Sequence, residues 1–111
     1  MAINSKQKGA KGERELARLI RDRGYDARRG QQFSGLEGED VVGLDYIHIE
    51  CKRVEKLNID EAMEQAKRDA RLGEYPVVFH KKNNADILVT MTFDDFMEIY
   101  KEFEASMTLE E

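Results

Sequence analysis

The segment Lys8–Arg23, KGAKGERELARLIRDR, carries its apolar residues at helical spacing. Leu16, Ala17 and Ile20 share one face, Arg14, Glu15, Arg18 and Asp22 the other, and Gly24 is placed to end the helix. Glu13 falls inside the apolar stripe, a costly place for a carboxylate unless something pairs with it or binds it. Beyond Gly24 the period shortens. Tyr25–Arg29 predicts a short strand, and Gly30–Glu39 (GQQFSGLEGE), with its glycines and small polar residues, a loop. Asp40–Gly43 predicts a strand start, Leu44-Asp45 a tight turn, and Tyr46–Lys52 a strand. Alternation there puts Ile47, Ile49 and Cys51 on one face and His48, Glu50 and Lys52 on the other.

Asn58 is suited to cap a helix from Ile59 to about Leu72, whose narrow stripe is Ile59, Ala62, Met63, Ala66 and Ala70 and which Gly73 ends. Pro76–Lys81 and Ala85–Thr90 predict two strands joined at Asn83-Asn84. Thr92 and Asp95 form a capping-box-like start to a last helix. Its Phe93, Phe96, Ile99, Tyr100 and Phe103, three and four residues apart, suit core packing first, with a contact surface as the alternative. Residues 1–7 are expected to be flexible, and residues 105–111 to form a loose acidic tail. The order α-β-β-β-α-β-β-α predicts an α/β fold, a central sheet flanked by helices, in one domain.

A length of 111 residues suits one domain of ordinary size, with 41% hydrophobic and 37% charged residues. One cysteine excludes an internal disulfide and a cysteine-based zinc cage. No apolar run approaches the roughly 18–20 residues of a membrane span, and no secretory leader opens the chain. The expectation is a soluble, cytoplasmic protein. The net charge of −5 argues against a nucleic-acid partner until its distribution is considered. Residues 1–31 hold nine Lys/Arg against four Asp/Glu, while residues 32–111 hold nine against nineteen. A basic end on an acidic body is a layout that can address DNA.

Asp40, Glu50 and Lys52 are the strongest candidates for chemistry. Glu50 and Lys52 point to one side of one strand, and Asp40 begins the strand beside it, so a hairpin would bring them together. Two close carboxylates repel by about 4 kcal/mol at an effective dielectric near 20, and a divalent cation reverses that cost. Hard oxygen ligands select Mg²⁺ or Mn²⁺. Such a set suits hydrolysis of a phosphodiester, the lysine orienting water or offsetting charge on phosphorus. Glu13 can point at the same cluster as a third acid; an Arg-paired or capping carboxylate is the plain structural alternative.

These residues resemble a known family. KGAKGEREL, the RRGQQFSG loop, Asp40 and IHIECKRVEKLN are similar to the archaeal Holliday junction resolvases and their small phage or prophage relatives in the PD-(D/E)xK nuclease superfamily. The resemblance spans roughly Lys8 to Phe103. It implies a restriction-endonuclease-like core with a mixed sheet, a homodimer with two metal sites, and structure-directed cleavage of branched DNA. By the same resemblance Glu13, Asp40 and Glu50 would bind metal, with the Cys51 carbonyl as a further ligand, and Lys52 would be the catalytic lysine. Glu39 stands where the family often has a proline, leaving two adjacent acids, Glu39 and Asp40, for the metal.

Other residues divide between roles. Arg28, Arg29, Gln31, Gln32 and Ser34 suit holding phosphates better than an ordinary solvated loop, while Lys81 and Lys82 in the His80–Asn83 turn could contact DNA backbone or as readily be a solvated hairpin. His48 shares the face of Glu50 and could touch the site, or be a satisfied half-buried residue. Gln65 could reach Lys52 or a nucleophilic water, or lie on the helix surface. Cys51 suits a small buried hydrophobe. Two other functions fit the same residues: a nicking, flap or end-processing nuclease with this site, and a non-catalytic DNA-binding module.

Overall fold

The computed structural model describes residues 5–30 and 40–109. The predicted element order holds: α1 (Ser5–Arg21), β1 (Arg28–Arg29), β2 (Val41–Val42), β3 (Ile47–Arg53), α2 (Ile59–Asp69), β4 (Tyr75–Lys81), β5 (Leu88–Thr90) and α3 (Phe93–Leu109). The five strands form one sheet in sequence order. β1–β2, β2–β3 and β4–β5 are antiparallel, while β3–β4 is parallel, as a strand–helix–strand crossover through α2 requires.

The alternation along β3 sorts its side chains between two helices. Ile49, with Ile47 and Cys51 at its flanks, packs under Leu16, Ala17 and Ile20 of α1. On the other face Ala62 and Ala66 of α2 close on Val78 of β4. Small residues on α2 let the helix lie near a sheet face that also carries polar side chains. Asn58 caps α2, its side chain accepting from the Glu61 backbone N–H at 3.1 Å. The β1–β2 contact depends on Gly43: at φ +135°, a Cβ there would stand 2.5 Å from Ala27 Cα.

Several boundaries differ from the sequence expectation, and β1 and β5 are shorter than the runs Tyr25–Arg29 and Ala85–Thr90 that predict them. α1 begins at Ser5, inside the segment expected to be flexible, and α3 runs to Leu109 instead of loosening after Glu104. α2 stops at Asp69, where Ala70 turns extended (ψ 140°). The larger correction concerns α3. Its aromatic stripe is not core: no α3 residue is buried, and exposure runs from 37% at Ile99 to 70% at Phe93. Phe96 stacks on Tyr100, and Tyr100 meets Phe103 at a tilt, along one side of the helix. Tyr75 Oη donates to Glu98 of α3 at 2.7 Å. Helical periodicity reports that one face is apolar but not what covers it.

Candidate active site

β2 and β3 bring the two acids together. Val41 pairs with Ile49 in antiparallel register, and the Asp40 N–H donates to the Ile49 carbonyl at 3.1 Å. Asp40 thereby lies beside Glu50, and its Oδ2 accepts from the Cys51 N–H at 2.8 Å. Glu50 is fully buried. Burial, then the negative charge of Glu50, with Glu13 adding to it, pushes the Asp40 carboxyl up to about 7; the Cys51 N–H opposes the shift.

Glu13 comes from α1, its side chain 14% exposed. It accepts from Nε and Nη2 of Arg29, each at 3.3 Å, so the carboxylate within the apolar stripe has an arginine partner. Its negative charge also adds to the upward push on the Asp40 carboxyl and the Cys51 thiol, so it lies within electrostatic range of both. Lys52 completes the group from β3. Its Nζ donates to Gln65 Oε1 at 2.9 Å and stands 3.9 Å from Glu50 Oε2. Gln65 therefore reaches the lysine rather than lying idle on the helix surface. Lys52 and Gln65 also line an open groove with Asn58 and Arg68, giving the lysine access to solvent.

The donors fit a hard divalent cation. Glu50 Oε2 is buried and has no hydrogen-bond partner among the described residues, a costly state for a carboxylate oxygen that a cation would relieve. Two further carboxylates supply negative charge around it. The Cys51 thiol, pushed up to about 12 by burial and then by Asp40, is inert beside them.

The remaining residues separate. His48 is fully buried and contacts Glu50 directly, with Nε2 2.8 Å from Glu50 Oε1. Asp69 of α2 joins them, since one ligand-capable atom from each of His48, Glu50 and Asp69 lies within 4.8 Å of the others. Nothing in the sequence marks Asp69, one charge among many on α2. Arg53 pairs with Glu15 at 2.8 Å, tying β3 to α1 next to the lysine and holding the Glu15 carboxyl below its usual range. Arg28 is exposed, and Arg29 is taken up partly by Glu13. Lys81 and Lys82 lie at the carboxyl end of β4, the end at which β3 carries Lys52, since Lys52 pairs with His80 in parallel register. Gln31, Gln32, Ser34 and Glu39 lie outside the described residues.

A mixed sheet with a helix on each face, bearing a carboxylate and a lysine on its antiparallel–parallel junction strand and a second carboxylate just before the neighbouring strand, is the architecture of the restriction-endonuclease-like nucleases of the PD-(D/E)xK superfamily. Within that class the chain belongs to the archaeal Holliday junction resolvase (Hjc) family, whose model matches residues 4–101. It is similar to the solved structure of Hjc from Archaeoglobus fulgidus, a Holliday junction resolvase from an archaeal hyperthermophile. The two share 28% identity with a TM-score of 0.58, over 76% of this chain and 72% of that one. No curated protein sequence matches the chain significantly. Among the described residues no helix is long and apolar enough to cross a membrane.

Proposed function

We propose that the protein is a metal-dependent endonuclease that cuts branched DNA, with the four-way junction as its principal substrate. The observation that carries this reading is the convergence of Asp40, Glu50 and Lys52 on neighbouring strands, within a chain of the junction-resolvase family. Asp40 and Glu50, with Glu13 and the Cys51 carbonyl, would hold Mg²⁺ or Mn²⁺. When bound, the cation supplies Lewis acidity toward the scissile phosphate and lowers the pKa of a water beside it. Lys52 acts from the same strand face. Held by Gln65, its ammonium lies close to Glu50 without collapsing onto it, and there it offsets charge that develops on the phosphate oxygens or orients the attacking water. Arg28, Lys81 and Lys82, together with Gln31, Gln32 and Ser34, are assigned to the DNA backbone. Their cationic members position DNA without reading sequence, as structure-selective cutting requires.

A junction presents two strands for cutting, so paired incision calls for two sites. The exposed face of α3 suits a second copy of the chain. Taking about 200 Å² for a fully exposed large side chain, Phe93, Phe96, Ile99, Tyr100, Phe103 and Met107 leave roughly 600 Å² open. That is most of the ~800 Å² each partner gives to a standard interface.

Cleavage of labelled four-way junction, nicked duplex, flap and linear duplex with Mg²⁺, Mn²⁺ or EDTA tests the reading. Paired symmetric cuts in the junction, lost with EDTA and with Lys52→Ala, are expected. Metal-dependent cutting of the other substrates alone would keep the site and discard the junction. Junction binding without any cutting would leave a DNA-binding module.

A further inference from the structure

A histidine buried in a strand has lost the water that would satisfy its ring, so its polar neighbours decide its role. His48 is fully buried on the face of β3 that carries Glu50 and Lys52. Its Nε2 lies 2.8 Å from Glu50 Oε1. A carboxylate only accepts, so that ring nitrogen carries the proton and donates it. The Asp69 carboxylate approaches the same group from the end of α2. The two oxygens of Glu50 are thus unequal: Oε1 is tied to the imidazole, and Oε2 is buried with no hydrogen-bond partner among the described residues.

The lysine shows what this inequality prevents. Lys52 Nζ stands 3.9 Å from Glu50 Oε2, a distance at which the ion pair is loose. Each member of the pair has another holder, His48 for the acid and Gln65 for the amine, the latter at 2.9 Å. Without the imidazole, the Glu50 side chain gains rotamer freedom and the pair can tighten, which would take Oε2 away from a cation. Packing alone does not ask for this residue. A leucine of similar volume would fill the strand interior without a polar group to satisfy.

We infer that His48 is a positioning residue for Glu50, anchoring one carboxylate oxygen through Nε2–H so that the other stays open toward a divalent cation. The inference rests on Glu50 being a metal ligand. It separates the ring from the ligand set: His48 acts through the carboxylate and does not touch the metal. Outer partners of this kind are worth about 10–100-fold in metal affinity.

Calorimetric titration of Mn²⁺ into the metal-free protein tests the role without turnover. Wild type, His48→Leu, His48→Gln and Glu50→Gln are compared at one pH, with the melting temperature of each measured in EDTA. His48→Leu is expected to weaken Mn²⁺ binding by about 10-fold or more. His48→Gln, whose amide nitrogen reaches about as far as Nε2 and still donates, should recover most of that loss. Should His48→Leu fail to fold, His48→Asn, with a shorter reach, replaces it in the comparison with Gln. Wild-type affinity in His48→Leu would overturn the inference. So would a His48→Gln variant no tighter than Leu, since the ring itself would then be needed. Undiminished binding by Glu50→Gln would instead remove the metal-site reading beneath it.

Discussion

Replacing Asp40 by Asn should make the metal-free protein more stable while abolishing its response to metal. In the folded state the wild-type carboxyl is pushed up to about 7, from an ordinary aspartate value of 3.8, by burial and by the charges of Glu50 and Glu13. The folded state therefore keeps this proton to higher pH than the unfolded chain does. Stability falls as the pH rises from about 4 to about 7 and is flat, as far as this group is concerned, above that. At 1.36 kcal/mol per pH decade the full cost at pH 8 is about 4 kcal/mol, an upper bound. Asparagine removes the charge, keeps an oxygen for the Cys51 N–H, and brings an amide that can donate to Glu50. Allowing for solvent at the partly exposed edge of the site and for burial of the amide itself, about 1–3 kcal/mol of gain should remain. Urea unfolding in EDTA at fixed protein concentration measures it. The advantage of Asp40→Asn should be largest at pH 8 and shrink at pH 5, where the wild-type carboxyl is largely protonated. Adding Mn²⁺ should then stabilise the wild type and leave the variant nearly unmoved. An Asp40→Asn protein less stable than wild type at pH 8, or a difference that ignores pH, would refute the account of a charge-strained site.

Two further perturbations address the frame around the site. Gly43→Ala places a Cβ 2.5 Å from Ala27 Cα at a φ of +135°, so it should cost about 1–3 kcal/mol in urea unfolding. It should also weaken Mn²⁺ binding, because β2 leads directly from Asp40; a neutral outcome would mean that the β1–β2 contact yields without strain. Phe96→Glu combined with Phe103→Glu should convert a dimer to a monomer in sedimentation equilibrium while the helix content of the monomer persists. A wild type that sediments as a monomer, or a double variant that still dimerises, would leave the α3 face without its assigned occupant.

Much of the site was legible because it is built from local patterns. Alternation along β3 alone put His48, Glu50 and Lys52 on one face, and backbone geometry allows no other outcome for consecutive strand residues. Asp40, ten residues earlier, needed only a hairpin to arrive beside Glu50, and the β2–β3 register supplies it. Glu13 stood out as a carboxylate in an apolar stripe, which announces a partner without naming it; Arg29 proved to be that partner, and the Glu13 charge reaches Asp40 from there. Asp69 was not legible. It reaches His48 and Glu50 only because α2 lies across that face of the sheet, and a lone acid near a helix end has no pattern of its own.

The sequence by itself determined the order of the elements, the sidedness of β3 and the identity of the acids and lysine, since periodicity and turn chemistry act between residues close in the chain. Tertiary structure decided what each face meets. It placed Gln65 against Lys52, linked Arg53 to Glu15, and left the aromatic stripe of α3 on the surface instead of in the core. Hydrophobic burial is non-directional, so an apolar stripe records that something covers it, and only the packing of distant elements shows whether this chain or another does so.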